Sequence, residues 1–94
     1  MIIRWLPEAH RHRLEQLDYI AQDNPLAAIG QDEEIERQVN MLSEHPKMGR
    51  PGRVAGTREL MVSSTPFVVI YRLRAQHIEV IRVLHSSRQW PLKK

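Results

Sequence analysis

Ninety-four residues, 41% hydrophobic and 27% charged, make a globular chain with a modest core, since a domain of this size buries only about 60–65% of its unfolded surface. Zero cysteines exclude disulfides, thiolate metal sites and a cysteine nucleophile, and no apolar run approaches the roughly 20 residues of a membrane-spanning helix. The net charge of +3 hides a split: residues 1–46 hold four arginines against nine acids, a balance of −5, and residues 47–94 hold ten basic side chains against Glu59 and Glu79, a balance of +8.

In chain order, residues 2–6 read as a short strand that stops at Pro7, a residue suited to the first turn of a helix. A helix is predicted over 7–23, where His10, Leu14, Leu17 and Ala21 recur at spacings of three and four with Ile20 beside them. Asn24 then caps a second helix while Pro25 takes its first position, and so tight a join predicts a helical hairpin. On the second helix Ala28, Ile35, Val39 and Leu42 share a face, the acidic run Asp32, Glu33, Glu34 and Glu36 reads as solvated, and the end falls near Pro46. Residues 47–56 carry three glycines and Pro51, which predicts a basic loop with no regular element. That loop lacks the Gly-Lys-Ser/Thr ending of a nucleotide-phosphate cradle. Strands follow over 57–63, 67–73 and 78–84, with connections short enough to favour an antiparallel meander.

This order predicts one α+β domain spanning 1–94: an N-terminal strand, a helical hairpin and a three-stranded antiparallel meander, with the helices packed on one face of a curved sheet. The other face is left open to work on a target. His85 and Arg88, three apart, can meet one phosphate, with His85 as acid or base because its unperturbed pKa lies near 6.5, the structural alternative being a strand-ending backbone hydrogen bond for His85 and a solvated surface charge for Arg88. Arg58 and Arg82 fall on adjacent parts of the sheet as carboxylate or phosphate ligands, the structural alternative being ion pairs with Glu59 or Glu79. Strict alternation puts Arg82 and His85 on opposite faces unless the strand bends after Leu84. Tyr71 reads as a core residue with a satisfied hydroxyl, and Trp90 as either a partner anchor or a cover for the sheet edge. His10 and His12 diverge around their helix, so neither a metal nor a cofactor is expected.

The stretches Gly56-Thr57-Arg58-Glu59-Leu60-Met61-Val62, Thr65-Pro66-Phe67-Val68-Val69-Ile70-Tyr71-Arg72 and Ile78-Glu79-Val80-Ile81-Arg82-Val83-Leu84-His85-Ser86-Ser87-Arg88-Gln89-Trp90-Pro91 resemble the C-terminal signature of RelE/ParE-type toxins. His45-Pro46-Lys47-Met48-Gly49-Arg50 is similar to the family's central loop. The resemblance implies a cytoplasmic, growth-inhibiting half of a bacterial type II toxin–antitoxin system, neutralised by a cognate antitoxin and reaching operator DNA only through it. RelE-like members cleave mRNA in the ribosome, and ParE-like members poison DNA gyrase. RelE-like nucleases place an arginine directly after the aromatic that opens the third strand, where this chain has Val68 after Phe67. The ending Arg82-Val83-Leu84-His85 with Arg88 is similar to the ParE branch and its plasmid-stabilisation relatives. Gyrase is therefore the expected target, engaged through Lys47, Arg50, Arg53, Arg58, Arg82, His85, Arg88 and Trp90. A nuclease would instead use Arg58, His85 and Arg88 as its catalytic set, and a non-toxic, antitoxin-bound co-repressor is the third reading.

Overall fold

The chain opens with β1 (Ile2–Trp5) and turns at Leu6, whose amide donates to the Val80 carbonyl at 3.0 Å, into α1 (Pro7–Asp23). The structure, a computed structural model, describes residues 1–86. Asn24 separates α1 from α2 (Pro25–Met41). Its side chain accepts the Ala27 amide at 3.1 Å, while Pro25, with no amide hydrogen to satisfy, fills the first turn. Four strands follow, β2 (Arg50–Pro51), β3 (Arg58–Met61), β4 (Phe67–Leu73) and β5 (His77–His85), and all five form one sheet in the order β1-β5-β4-β3-β2. β3, β4 and β5 make the antiparallel meander expected from their short connections, and β1 lies parallel to β5, with Ile2 opposite His77 and Trp5 opposite Val80.

Both helices cover one face of this sheet. Ala9 of α1 and Ile35 and Val39 of α2 pack with Leu42 against Leu60, Val62, Phe67, Val69, Tyr71, Ile78, Val80 and Val83. Each large apolar side chain buried there stabilises the fold by about 1.5–3 kcal/mol.

α1 buries Leu17 and packs Ile20 against the core as its apolar spacing suggests, but the first half of its stripe is rotated. Ala9, Arg13 and Leu17 face the interior, whereas His10 faces solvent and Leu14 is 49% exposed. The stripe rotates because its central position is an arginine with partners. Arg13 reaches Asp32 at 2.6 Å and Glu36 at 2.9 Å on α2, and lies over the Trp5 ring, 4.8 Å from its centroid. Half of the acidic run thus ties the hairpin together instead of standing free in solvent.

One boundary, one added strand and one bulge also differ from the expectation. α2 ends at Met41, because Leu42, Ser43 and Glu44 close hydrogen-bonded turns before Pro46. Within residues 47–56, read above as irregular, Arg50 and Pro51 pair with Glu59 and Arg58, giving the sheet a fifth strand. β5 carries a bulge at Ile81, between the pairs Tyr71–Val80 and Ile70–Arg82, which lets Ile78, Val80 and Val83 all reach the core. The irregularity therefore falls before Arg82, not after Leu84. Arg82 opposite Ile70 and His85 opposite Phe67 stay on opposite faces.

Candidate functional site

The basic loop is held from below. Tyr71, fully buried in β4, donates its hydroxyl hydrogen to the Pro46 carbonyl at 2.7 Å and accepts the Gly49 amide at 2.9 Å. Gly49 is packed so tightly that a Cβ there would lie 2.8 Å from the Glu59 carbonyl oxygen and the Tyr71 ring. Arg58 adds two bonds, from Nε to the Gly49 carbonyl at 2.9 Å and from Nη2 to the Lys47 carbonyl at 3.1 Å. Glu59, 3% exposed, accepts Arg50 Nη2 at 3.0 Å and the Arg53 amide at 3.1 Å. Burial alone would raise the Glu59 pKa, but the Arg53 amide and the Arg50 guanidinium outweigh it and hold the carboxyl below its ordinary range. Loop and strand together fix the backbone that carries the exposed Lys47, Arg50 and Arg53 side chains, so little backbone freedom is left to lose on binding.

A second cluster forms around Glu79 of β5. Arg72 stands 3.8 Å away, Arg74 donates at 3.3 Å, His77 lies at 3.4 Å, and Arg4 of β1 is its register partner. Burial again pushes the carboxyl up, and His77 and Arg74 bring it below the ordinary range. A third cluster joins β5 to α1. Arg82 reaches Glu8 at 2.9 Å, Glu8 also pairs with Arg11 at 2.8 Å, and His12 sits beside them. Hydrogen bonds from Arg11 and Arg82 lower the Glu8 pKa, while burial, followed by the charges of Arg82 and Arg11, lowers that of His12.

Lys47, Arg50, Arg53 and Arg58 therefore share one loop and strand, as the sequence suggested. Arg82 and His85 lie elsewhere. Arg58 and Arg82 flank β4 at neighbouring positions, opposite Tyr71 and Ile70, and neither forms the alternative ion pair with Glu59 or Glu79. Arg58 is taken by loop carbonyls, and Arg82 is drawn to the helix by Glu8. His85 ends β5 edge-on to Phe67, centroids 6.2 Å apart, and lines a hollow of about 100 Å³ with His12, Glu15 and Gln16. Arg88 and Trp90 lie outside the described residues. Sequence reasoning overlooked Arg4, Arg72, Arg74 and the two glutamates as organisers. The signal was present: Glu59 and Glu79 are the only acids after residue 46, and each gathers two arginines. Among the described residues no group of three or more His, Asp or Glu is placed to hold a metal ion.

With this geometry in place, comparison with known proteins is decisive. The family model described as the ParE toxin of the type II toxin-antitoxin system parDE matches residues 3–90. The chain belongs to the ParE toxin family. Y4kP of Sinorhizobium fredii, a candidate toxin, is 40% identical over 90 residues, covering 95% of this chain and 92% of its own. Toxin ParE1 of Caulobacter vibrioides is 37% identical over 54 residues, 57% of this chain and 55% of that protein. Among solved structures, a chain of the chromosomal ParDE system from P. aeruginosa superposes with a TM-score of 0.82 at 25% identity, covering 90% of this chain and 95% of its own. The ParE-family fold accounts for the helical hairpin on a mixed sheet. No helix among the described residues of this ParE-family toxin is long and apolar enough to cross a membrane.

Proposed function

We propose that this ParE-family toxin arrests growth by binding DNA gyrase and trapping it on DNA, and that a co-expressed antitoxin relieves the arrest by covering the toxin. The observation that carries the reading against ribosomal mRNA cleavage is the separation of the nuclease candidates. Arg58 is opposite Tyr71 on β4 and His85 is opposite Phe67, four residues apart, or about 13 Å along the strand. A general acid or base must lie within hydrogen-bond reach of the proton it moves, and so wide a backbone separation favours separate roles for the two side chains over one shared phosphate site. Arg58 is further engaged by two backbone carbonyls. Val68, opposite Met61, stands where the nuclease branch carries its strand arginine.

The reading is tested by incubating purified toxin with gyrase, ATP and supercoiled plasmid. Accumulation of linear plasmid after denaturing the enzyme, or loss of supercoiling, is expected, and Arg50→Glu/Arg53→Glu on the preset loop weakens the effect at least tenfold. Undisturbed supercoiling, with codon-phased cuts in translated mRNA that vanish in His85→Ala, would reverse the assignment.

A further inference from the structure

We propose that the sheet face opposite the helices binds the phosphate backbone of duplex DNA. In the register of the sheet, Arg4, Glu79 and Arg72 stand side by side on β1, β5 and β4. Two residues along β4, on the same face, Arg50, Glu59 and Ile70 form a second row. Arg74 joins the first row through Glu79, and Arg53 joins the second through Glu59. Four arginines thus pair with two carboxylates, Arg4 stands beside Glu79 in the register as a fifth, and the carboxylates are the hidden members. Glu59 and Glu79 side chains are 3% and 20% exposed, against 37–60% for Arg50, Arg53, Arg72 and Arg74, and Arg4 is also exposed. What meets solvent is guanidinium. Each carries five N–H donors, and a shared carboxylate uses only a few of them.

The opposite layer has the opposite sign, since all nine acids of residues 1–46 lie on α1, on α2 or in the turns that follow. A polyanion would turn the molecule sheet-first before contact. The side chains favour a duplex over other polyanions. Single strands stack their bases on exposed rings, and protein partners seat aromatic anchors in pockets. On this face the described residues offer no Phe, Tyr or Trp ring, only the His77 imidazole held against Glu79: Phe67 and Tyr71 belong to the core, Trp5 packs against it, and Tyr19 is on α1. Arginine forks without stacking platforms match contacts to phosphate that carry no sequence information. The inference stands on charge geometry and holds whether or not gyrase is the target.

The test is fluorescence anisotropy of a short labelled duplex with the purified toxin across salt, with no gyrase present. Five phosphate contacts give a slope of log K against log salt near −4.5, a loss of about 500-fold between 50 and 200 mM. In Arg72→Ala/Arg74→Ala two contacts go, and the same salt step costs only about 40-fold. Arg4→Ala, at a position that makes no side-chain hydrogen bond or ion pair among the described residues, removes about one contact without disturbing either glutamate. Arg11→Ala and Arg37→Ala, on the helices, leave the curve where it was, and circular dichroism checks that every variant is folded. Absence of binding at 50 mM salt, a slope indifferent to both sheet variants, or equal competition by polyglutamate or single-stranded DNA would overturn the proposal.

Discussion

At the scale of single residues, Tyr71 links the core to the loop. Its ring is part of the hydrophobic cluster, and its hydroxyl closes two hydrogen bonds to the backbone of Pro46 and Gly49. Tyr71→Phe keeps the packing and strands a buried amide and a carbonyl, which costs about 1–3 kcal/mol of unfolding free energy. Urea unfolding of the two proteins measures this directly. Because the same bonds position Gly49 beside Arg50, the variant should also blunt the gyrase effect more than its lost stability explains. The core role of Tyr71 was legible from its apolar neighbours Val69, Ile70 and Leu73. Its grip on a loop 22 residues upstream was not, because a hydroxyl announces that it needs a partner without saying which.

At the scale of elements, Arg13 does for the hairpin what an apolar residue would ordinarily do. Its guanidinium sits between Trp5 below and Asp32 and Glu36 of α2. Arg13→Ala removes the stacking and both pairs. Since the two carboxylates are about half exposed and rehydrate, the cost should fall near 1–3 kcal/mol rather than the larger penalty of an orphaned buried charge. Thermal melts with Asp32→Asn alongside will show whether the pair or the stacking dominates. This residue also marks where sequence reading stopped. Both helices and four of the five strands follow from proline placement, the Asn24 cap and apolar runs, which are local signals. The phase of α1 depended on which long side chain finds a partner across the hairpin. Two-residue β2 exists only because β3 offers an edge and Glu59 accepts from Arg50 and from the Arg53 amide. The bulge at Ile81 is set by β5 having to satisfy β4 and the core at once. Such long-range causes are invisible to a pattern read along the chain.

At the scale of the molecule, the many arginine–carboxylate pairs couple stability to pH. Hydrogen bonds and charges from their partners hold the folded Glu8, Glu34, Glu59 and Glu79 carboxyls below their ordinary range, so their stabilisation is complete above that range and is lost as the pH falls through the lowered values. His12, lowered from 6.5, favours the neutral ring in the fold, so its contribution begins to fade earlier, as the pH drops below 6.5. Urea midpoints across this range should fall in two stages. Replacing His12 by Asn should erase the first stage and leave the second, and a single unbroken decline in both proteins would contradict the assignment. The parallel pairing of β1 with β5 has a consequence in time as well as in space. Ile2 must wait for His77, 75 positions later, so the first strand made is among the last to find its place. At about 5–20 residues per second that delay is roughly 4–15 s of synthesis. A nascent chain of this toxin cannot complete its sheet until β5 has left the ribosome, so the central pairing of the fold closes from both ends of the sequence at once.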